Sequence, residues 1–281
     1  MIFLEEINMK KIVAVLLTVF NRKDITLKGL STLYAAMKPV EDKYSFDVYM
    51  TNDGCTDGTP EAVKKCYPDV HIINGDGNLY WSGGMRKAWD VAAKTHDYDY
   101  YLWFNDDAVL YENALLLLFA PIEKISNDII VSGAFCDNNG KVSYGGRDCK
   151  GNLIYPNGKF LDILYMNGNL TLIPQNVYSQ LGSLDKAFMH GLGDWDYGFR
   201  AINIGIRTLL TQCFVGETCR HDNNLSYYSK ELPFSKRLKM LYSPFHHPKL
   251  YFIFNLRHRG LLHAISFYIK QHISIFACYK F

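Results

Sequence analysis

Lys11–Val19 reads KIVAVLLTV, an unbroken apolar run rich in β-branched residues. Such a run predicts a strand that is buried on both faces, as the strands of parallel sheets are. Further strands are predicted at 46–51, 70–74 and 98–104, and each interval between strands has the pattern of a helix. This alternation predicts an α/β fold with a Rossmann-like, mostly parallel sheet, whose ligands bind beyond the carboxyl ends of the strands.

The second half of the chain has a different pattern. A strand predicted at 129–134 is followed by the hairpin signal Asp137-Asn138-Asn139-Gly140 and by loops rich in Gly and Asn as far as Gly168. Two more strands, at 170–173 and 207–212, flank two predicted helices. We therefore predict a mixed sheet in this half rather than further parallel units.

Charge is distributed unevenly along the chain. The net charge is +2, yet residues 230–281 contain nine Lys or Arg and one acid, which leaves residues 1–229 at −6. We predict a catalytic domain at 1–229, with a nucleotide-binding half at about 11–107 and an acceptor half at about 108–229, and a basic, aromatic, helical tail at 230–281. Such a tail favours an anionic partner, either a membrane or a nucleic acid. We expect the membrane and no nucleic acid.

The cysteines and apolar segments bear on the cellular compartment. The seven Cys residues form no CxxC pair, which argues against a disulfide framework or structural zinc site and for a reducing environment. Met1–Lys10 lacks the apolar core of a signal peptide, and the longest strongly apolar stretch, Ala114–Ile122, is too short to span a bilayer. We expect a cytoplasmic protein that contacts the inner face of the cell membrane peripherally.

Polar clusters follow two of the predicted strands. Asn52-Asp53-Gly54 ends the second strand, where a carboxylate can bind a nucleobase or ribose, although the same residues also suit a tight turn. Asn105-Asp106-Asp107 ends the fourth strand. Adjacent carboxylates there can bind a hard divalent cation that bridges a diphosphate, and the alternative is a helix N-cap.

Two further features lie downstream. A helix predicted at 194–203 carries Asp194 and Asp196 two positions apart, which places them on different sides of the helix. His221 follows the last predicted strand and a short loop. A single His is more often structural than a metal ligand, and two acids near a helix start can be surface residues, so neither feature identifies a function alone.

Taken together, the order and spacing of these clusters resemble glycosyltransferase family 2, an inverting family with the GT-A fold. The resemblance extends from about Lys11 to His221. The segments that carry it are Thr18-Val19-Phe20-Asn21-Arg22, Asn52 to Thr59, Asn78 to Arg86, Asn105-Asp106-Asp107, and Gly193-Asp194-Trp195-Asp196 with Arg200-Ala201.

The resemblance implies an enzyme that moves a hexosyl or deoxyhexosyl group from a nucleotide-diphosphate sugar to a hydroxyl of a glycan or lipid-linked acceptor, as in cell-surface polysaccharide biosynthesis. It implies Asp194 as the catalytic base and Asp107 with His221 as ligands of a divalent metal, Mg²⁺ or Mn²⁺. The residues expected to bind the nucleotide sugar are Thr18, Phe20, Arg22, Asp53, Asn78, Trp81, Gly84, Arg86 and Asp106. Two positions depart from the family pattern, since Asn105 and Gly193 stand where Asp and Glu are common.

Helix geometry separates the roles of the two downstream acids. Asp196 lies four residues before Arg200, the spacing of an intrahelical ion pair, so we expect a structural role for it. Trp195 and Phe199 are also four residues apart and are expected to face the core. Asp194 begins the helix, where the helix dipole favours the ionised carboxylate that a base needs.

Two other functions remain open at this stage. A metal-dependent nucleotidyltransferase also uses paired carboxylates, but it usually needs a Gly-rich phosphate loop, and Phe20–Asp24 contains no Gly. The other is a non-catalytic protein that binds nucleotide sugars and docks on membranes. Retention of Asp107, Asp194 and His221 argues against loss of catalysis, and donor hydrolysis would separate the two.

Overall fold

The computed structural model describes residues 9–218 and 226–278. Its first half confirms the predicted alternation of strands and helices. The elements are β1 (Lys11–Val19), α1 (Lys23–Met37), β2 (Tyr44–Asn52), α2 (Thr59–Cys66), β3 (His71–Asn74), α3 (Tyr80–Thr95) and β4 (Tyr100–Phe104). β1 pairs in parallel with both β2 and β4, and β2 pairs in parallel with β3. β1 is therefore the centre of the parallel half, and residues 13–17 are fully buried.

The second half confirms the predicted mixed sheet. Its elements are β5 (Val109–Leu110), α4 (Ala114–Lys124), β6 (Ile129–Cys136), β7 (Val142–Tyr144), β8 (Leu161–Asp162), β9 (Leu170–Pro174), α5 (Gln175–Leu181), α6 (Gly193–Asn203) and β10 (Arg207–Glu217). The sheet runs in the order β3-β2-β1-β4-β9-β6-β10-β5. β9 is antiparallel to both β4 and β6, while β10 is parallel to β6. The hairpin signal joins β6 to β7, which are antiparallel.

Helices cover both faces of the sheet. The hydrophobic core on one face includes Leu30 and Leu33 of α1 with Leu115 and Leu118 of α4. The core on the other face is built from α3, α5 and α6. As the helical pattern predicted, α3 buries four apolar side chains, namely Met85, Ala88, Trp89 and Ala92. α3 and α6 lie on the same face of the sheet. Their amino-terminal turns are in contact there, at Ser82 and Gly193.

Some boundaries differ from the sequence prediction, and one helix was not predicted. α3 begins at Tyr80, four residues before the predicted start at Gly84, because a buried carboxylate caps its first backbone N–H groups. β10 continues to Glu217, five residues beyond the prediction, with irregular register against β6. The apolar stretch Ala114–Ile122 forms most of α4, a helix that was not assigned from sequence.

The tail is helical, as predicted, with α7 (Phe234–Leu241), α8 (Pro248–Arg259) and α9 (Leu261–Ala277). α8 packs on α6, with the Phe254 ring 5.5 Å from the Phe199 ring and 6.3 Å from the Trp195 indole, centroid to centroid. The expectation that Trp195 and Phe199 face the main core is therefore wrong: Tyr197 and Ala201 do so, because α8 supplies a second apolar surface. Among the described residues, no helix is long and apolar enough to cross a membrane.

Candidate active site

Asp53 lies at the carboxyl end of β2, and the start of α3 holds its carboxylate. The carboxylate accepts hydrogen bonds from the backbone N–H groups of Gly77 at 2.9 Å, Leu79 at 3.0 Å and Tyr80 at 2.9 Å. Only 4% of Asp53 is exposed. Asp53 therefore fixes where α3 begins, and its contact with the donor stays a prediction.

Gly84 brings α3 against the end of β1. A Cβ at this position would lie 2.1 Å from Thr18 Oγ1, which no side chain tolerates. The Gly84 carbonyl also accepts a hydrogen bond from Thr51 Oγ1 at 2.8 Å. Glycine is required here for close approach of the backbone, and two residues predicted to bind the donor, Thr18 and Gly84, are in direct contact.

Arg22 pairs with both carboxylates that follow β4. Its Nη1 donates to Asp107 Oδ2 at 3.2 Å, and its Nη2 donates to Asp106 Oδ1. Asp106 also accepts from Thr26 Oγ1 at 2.6 Å and is fully buried, whereas 22% of the Asp107 side chain is exposed. Burial raises the pKa of Asp106 to about 6, although the charge of Arg22 and the hydrogen bond from Thr26 oppose it. Asp107 is the carboxylate of this pair that a ligand can reach.

Trp81 and Asn105 link the acidic pair to the turn that precedes β9. Trp81 Nε1 donates to Asn105 Oδ1 at 2.6 Å, and Asn105 Nδ2 donates to Asn169 Oδ1 at 2.6 Å. Gly168 lies against the indole, since a Cβ there would be 2.2 Å from Trp81 Cζ2. Direct contacts thus join the carboxyl end of β4 and the first turn of α3 to the turn that precedes β9.

Asp194 lies in the first turn of α6, beside the same turn. Its Oδ1 accepts a hydrogen bond from the Trp195 N–H at 2.8 Å, and its Oδ2 accepts one from the Gly168 N–H at 3.3 Å. Burial raises the pKa of Asp194 to about 6, against these two hydrogen bonds. Burial is the largest influence at this position, so the pKa lies above the ordinary carboxyl value. A carboxylate with a pKa near neutrality can take up a proton under physiological conditions, as a general base must.

Gly193 gives a physical reason for one departure from the family pattern. A Cβ at Gly193 would lie 2.4 Å from Ser82 Oγ and 3.1 Å from Ser82 Cβ. Ser82 Oγ in turn donates to the His190 carbonyl at 2.9 Å, in the loop that leads into α6. The first turns of α3 and α6 are therefore in contact, and a side chain at position 193, such as Glu, would displace Ser82.

Asp196 is held away from the site by partners of its own. Its fully buried carboxylate accepts hydrogen bonds from Arg200 Nε at 3.0 Å, Arg257 Nη1 at 2.7 Å and His258 Nε2 at 2.9 Å. Burial raises the pKa of Asp196, but the hydrogen bond from His258 and the charges of Arg200 and Arg257 outweigh it and hold the pKa below its ordinary value. The predicted pair with Arg200 is confirmed, and its two other partners come from the tail.

The remaining predicted residues lie around the edge of this arrangement. Phe20 is 54% exposed after the end of β1, and Asn78 is exposed in the loop before α3. Arg86 Nη1 donates to the Asp185 carbonyl at 3.4 Å, from the second turn of α3. Their contacts with the donor stay predictions. His221 lies outside the described residues, so its role as a metal ligand also stays a prediction.

Asp107 offers a partial metal site. Within 9–218 and 226–278, no group of three or more His, Cys, Asp or Glu side chains could hold a metal ion. One carboxylate, completed by substrate phosphate oxygens and water, is nevertheless an ordinary ligand set for Mg²⁺. The acidic pair therefore fits a cation that is shared with a diphosphate, and Arg22 lies close enough to bind the same anionic groups.

A family model described as glycosyl transferase family 2 matches residues 14–181, which is more than half of the chain. The chain belongs to glycosyl transferase family 2. The matched region runs from β1 to the end of α5, so it includes Asp53, Trp81 and the acidic pair but ends before Asp194. None of the curated proteins compared with this family 2 chain matches it.

Solved structures confirm that this family 2 chain has the GT-A fold. The mannosyltransferase PcManGT from Pyrobaculum calidifontis, in complex with GDP-Man and Mn²⁺, matches with a TM-score of 0.58 at 14% identity, over 96% of this chain and 73% of that one. S. aureus TarS 1–349 in complex with UDP gives 0.58 at 14% identity, over 95% and 72%. GalNAc-T7 with UDP, GalNAc and Mn²⁺ gives 0.57 at 12% identity, over 95% and 58%. At these identities the likeness concerns the fold.

Sequence reasoning missed several residues that assemble the site. Gly168 and Asn169 connect Asn105 and Trp81 to Asp194, yet the turn was assigned only to a Gly/Asn-rich loop. The dipeptide Asn167-Gly168 directly before an apolar strand was a turn signal. Ser82 carried no local signal, because its importance comes from contact with a helix that lies more than a hundred residues away in sequence.

Proposed function

We propose that this family 2 glycosyltransferase inverts the configuration of the transferred sugar and uses Asp194 as its general base. The observation that carries the proposal is the position of Asp194. Its carboxylate is bonded to Gly168, which packs on Trp81, and Trp81 is bonded to Asn105 beside the acidic pair. A base with a pKa of about 6 thus lies on the same edge of the sheet as the residues proposed to hold the donor.

The reaction is a single displacement. The acceptor hydroxyl oxygen forms a bond to the anomeric carbon on the face opposite the diphosphate, the bond from that carbon to the diphosphate oxygen breaks, and Asp194 takes the hydroxyl proton. Holding donor and acceptor in line supplies a large part of the rate enhancement. In this proposal Thr18, Asp53 and the 78–86 segment position the donor.

Asp107 is the proposed protein ligand of a divalent metal, Mg²⁺ or Mn²⁺, with His221 as a further candidate. When bound, the cation would stabilise the negative charge that grows on the departing diphosphate. Arg22 lies on the same carboxylates and is placed to bind diphosphate oxygens with its planar, multidentate guanidinium. Mn²⁺ accompanies the sugar nucleotide or UDP in the PcManGT and GalNAc-T7 structures, which supports the proposal.

Donor hydrolysis tests the proposed activity. The purified protein is incubated with a panel of UDP-, GDP- and dTDP-sugars, with Mn²⁺ or with EDTA, and released nucleoside diphosphate is measured. We expect one donor to be cleaved slowly with Mn²⁺ and not with EDTA. Binding without hydrolysis or transfer would favour the non-catalytic alternative. Nucleotidyl transfer with release of pyrophosphate from a nucleoside triphosphate would contradict the proposal outright.

We further propose that the tail docks on an anionic membrane surface, where a lipid-linked or glycan acceptor of polysaccharide assembly would be reached. α9 has an unusual distribution of side chains. Its inward face carries the buried residues Ala264, Gln271, Ser274 and Ile275. Its outward face is an apolar stripe at intervals of three or four residues: Leu262, Ile265, Ile269, Ile273 and Phe276. An outward apolar stripe is the pattern of a helix that lies in a membrane interface.

The helix that contacts the end of the stripe is basic. Phe276 contacts Phe234 of α7, with ring centroids 5.3 Å apart, and the exposed Lys236 and Lys239 lie on that helix. Each basic residue near an anionic surface contributes about 1 kcal/mol of binding. The net charge of the tail therefore favours an anionic lipid surface as the occupant of the stripe.

Co-sedimentation with vesicles tests this docking. Removing the whole tail would also remove the partners of Asp196, so a point variant, Ile269→Gln, is the better test. Ile204→Gln is its control, because both isoleucine side chains are 50% exposed. We expect binding to phosphatidylcholine vesicles that contain phosphatidylglycerol, with weaker binding by the Ile269 variant alone. Equal binding by both variants would reject the docking role. A dimer that the Ile269 variant disrupts, with no vesicle binding, would assign the stripe to a second copy instead.

A further inference from the structure

An open groove of about 890 Å³ lies between the tail and the second half of the sheet domain. One wall is aromatic. The Tyr165 ring lies edge-on to the Trp195 indole, with centroids 4.8 Å apart, and to the Phe199 ring, with centroids 5.1 Å apart. Aromatic walls of this kind pack against the apolar C–H faces of sugars while leaving polar edges accessible.

The rest of the groove is positively charged. Arg147, Lys150 and Arg259 line it together with His263, and no acid is among the lining residues that the structure describes. Arg259 is positioned by its Nη2, which donates to the Tyr165 hydroxyl at 2.5 Å, and Arg147 Nη1 donates to a backbone carbonyl at 2.7 Å. Guanidinium groups fixed in this way bind phosphate with directed, charge-assisted hydrogen bonds.

The groove and the proposed base share the first turn of α6. Trp195, in its wall, directly follows Asp194, and Tyr165 lies three residues before Gly168, whose N–H binds the Asp194 carboxylate. The elements that hold the base therefore also form the groove. Four of its lining residues lie beyond residue 181, where the match to the family model ends: Trp195, Phe199, Arg259 and His263.

We propose that this groove binds the acceptor and that the acceptor is a glycan bearing phosphate groups, an inference that rests on the proposed transferase function. A phosphate monoester carries close to two negative charges at neutral pH, which suits three cations around one groove. The aromatic wall would pack on the sugar rings, and a hydroxyl of the terminal sugar would then reach Asp194. The basic tail thereby contributes to acceptor recognition through Arg259 and His263.

Isothermal titration with three small probes tests the inference. Glucose 6-phosphate, glucuronic acid and methyl glucoside are titrated into protein whose donor site is filled with Mn²⁺ and whichever of UDP, GDP and dTDP it binds. We expect glucose 6-phosphate to bind at least tenfold more tightly than methyl glucoside. Lys150→Gln and Arg259→Gln should each weaken its binding by about tenfold, as expected for loss of a charge-assisted contact. The Lys150 side chain is exposed, so we expect Lys150→Gln to fold like the wild-type protein.

Arg207→Gln is the matched control, because it removes one positive charge from an exposed ion pair with Asp162, outside the groove. Nucleoside diphosphate binding is measured separately in every variant and should not change. Equal losses in the Arg207 and Lys150 variants, or no preference for the phosphorylated sugar, would overturn the acceptor inference alone. Glucuronic acid that binds as tightly as glucose 6-phosphate would overturn its assignment to phosphate. Failure of UDP, GDP and dTDP to bind the wild-type protein would instead overturn the transferase proposal.

Discussion

Arg257 Nη1, in the tail, donates to Asp196 Oδ1 at 2.7 Å, across sixty-one positions of sequence. His258 Nε2 reaches the same oxygen at 2.9 Å, and Arg200 binds the other oxygen. The tail is thus bonded to the helix that carries the proposed base. The buried Asp196 carboxylate, bonded to two arginines and one histidine, therefore holds α6 and α8 together. It lies two residues from Asp194.

Asp196 should therefore matter for stability. Removing one partner of a buried ion pair costs about 3–5 kcal/mol, because it leaves buried charges uncompensated. We expect Asp196→Ala to lower the free energy of unfolding by about this amount in urea denaturation. Asp162→Asn is the matched control, since Asp162 pairs with Arg207 at the surface and such pairs contribute about 0–1 kcal/mol. Similar losses in the two variants would contradict the account of Asp196.

This contribution should depend on pH in one direction. The pKa of Asp196 is lower in the folded protein than its ordinary value, so its stabilisation is present above the unfolded pKa of about 4 and is lost as the pH falls through the folded pKa. The stability difference between wild type and Asp196→Ala should accordingly shrink in acid. A difference that grew as the pH fell would mean that Asp196 is not held ionised by its partners.

Gly193 offers a test of the contact between α3 and α6. Because a Cβ there would lie 2.4 Å from Ser82 Oγ, Gly193→Ala should lower the melting temperature and the turnover number together. Ser82→Gly removes the obstructing side chain, at a cost of about 1 kcal/mol for glycine in a helix. The double variant should therefore be closer to wild type in turnover than Gly193→Ala is. If the loss of turnover in the double variant equals the sum of the losses in the two single variants, the proposed contact is contradicted.

Asp107 should determine the metal requirement. We expect Asp107→Asn to raise the Mn²⁺ concentration needed for donor binding and to reduce donor hydrolysis to background, since a carboxamide is a weaker ligand for a hard cation. Asp69→Asn removes an exposed acid in the loop before β3 and should leave both quantities unchanged. Full activity of the wild-type protein in EDTA would reject a metal role for this site.

The pH dependence of transfer follows from the pKa of Asp194. A base must be ionised to accept a proton, and burial raises the pKa of Asp194 to about 6. We expect kcat/KM to fall about tenfold per pH unit below pH 6 and to level off above it. Burial also raises the pKa of Asp106 to about 6. The control is therefore the pH dependence of the residual activity of Asp194→Asn, in which position 194 can no longer produce an acid limb near pH 6. An acid limb that persists unchanged in that variant would belong to Asp106 or another group.

The sequence predicted those features that depend on neighbours in the chain. The apolar run Lys11–Val19 and the i, i+4 pair of Asp196 and Arg200 are local patterns, and both are confirmed. Features made by distant segments could not be read in this way. Nothing near Asp196 indicates that Arg257 will reach it, and nothing near Trp81 indicates that Gly168 will pack on its ring.

Folding also added an electrostatic influence that the position of Asp194 in the sequence does not reveal. The position of Asp194 at the start of α6 predicted that the helix dipole favours its ionised form, because the dipole is the one influence that sequence position reveals. Enclosure by the 167–169 turn and by α3 appears only after folding, and it raises the pKa instead. The motif thus indicated Asp194 as the proposed base, whereas its raised pKa follows from packing.

The most direct test of the central claim compares the turnover numbers of Asp194→Asn and Asp196→Asn with the donor that the protein cleaves. Asn keeps the hydrogen-bond acceptor for the Gly168 N–H, so Asp194→Asn should leave donor affinity and melting temperature close to wild type. Its turnover should fall by about a hundredfold or more, because the base is lost. Asp196→Asn should lower the melting temperature and keep most of the turnover at a temperature where it stays folded. The reverse pattern, with an active Asp194→Asn and a stable but inactive Asp196→Asn, would contradict the assignment of Asp194 as the base.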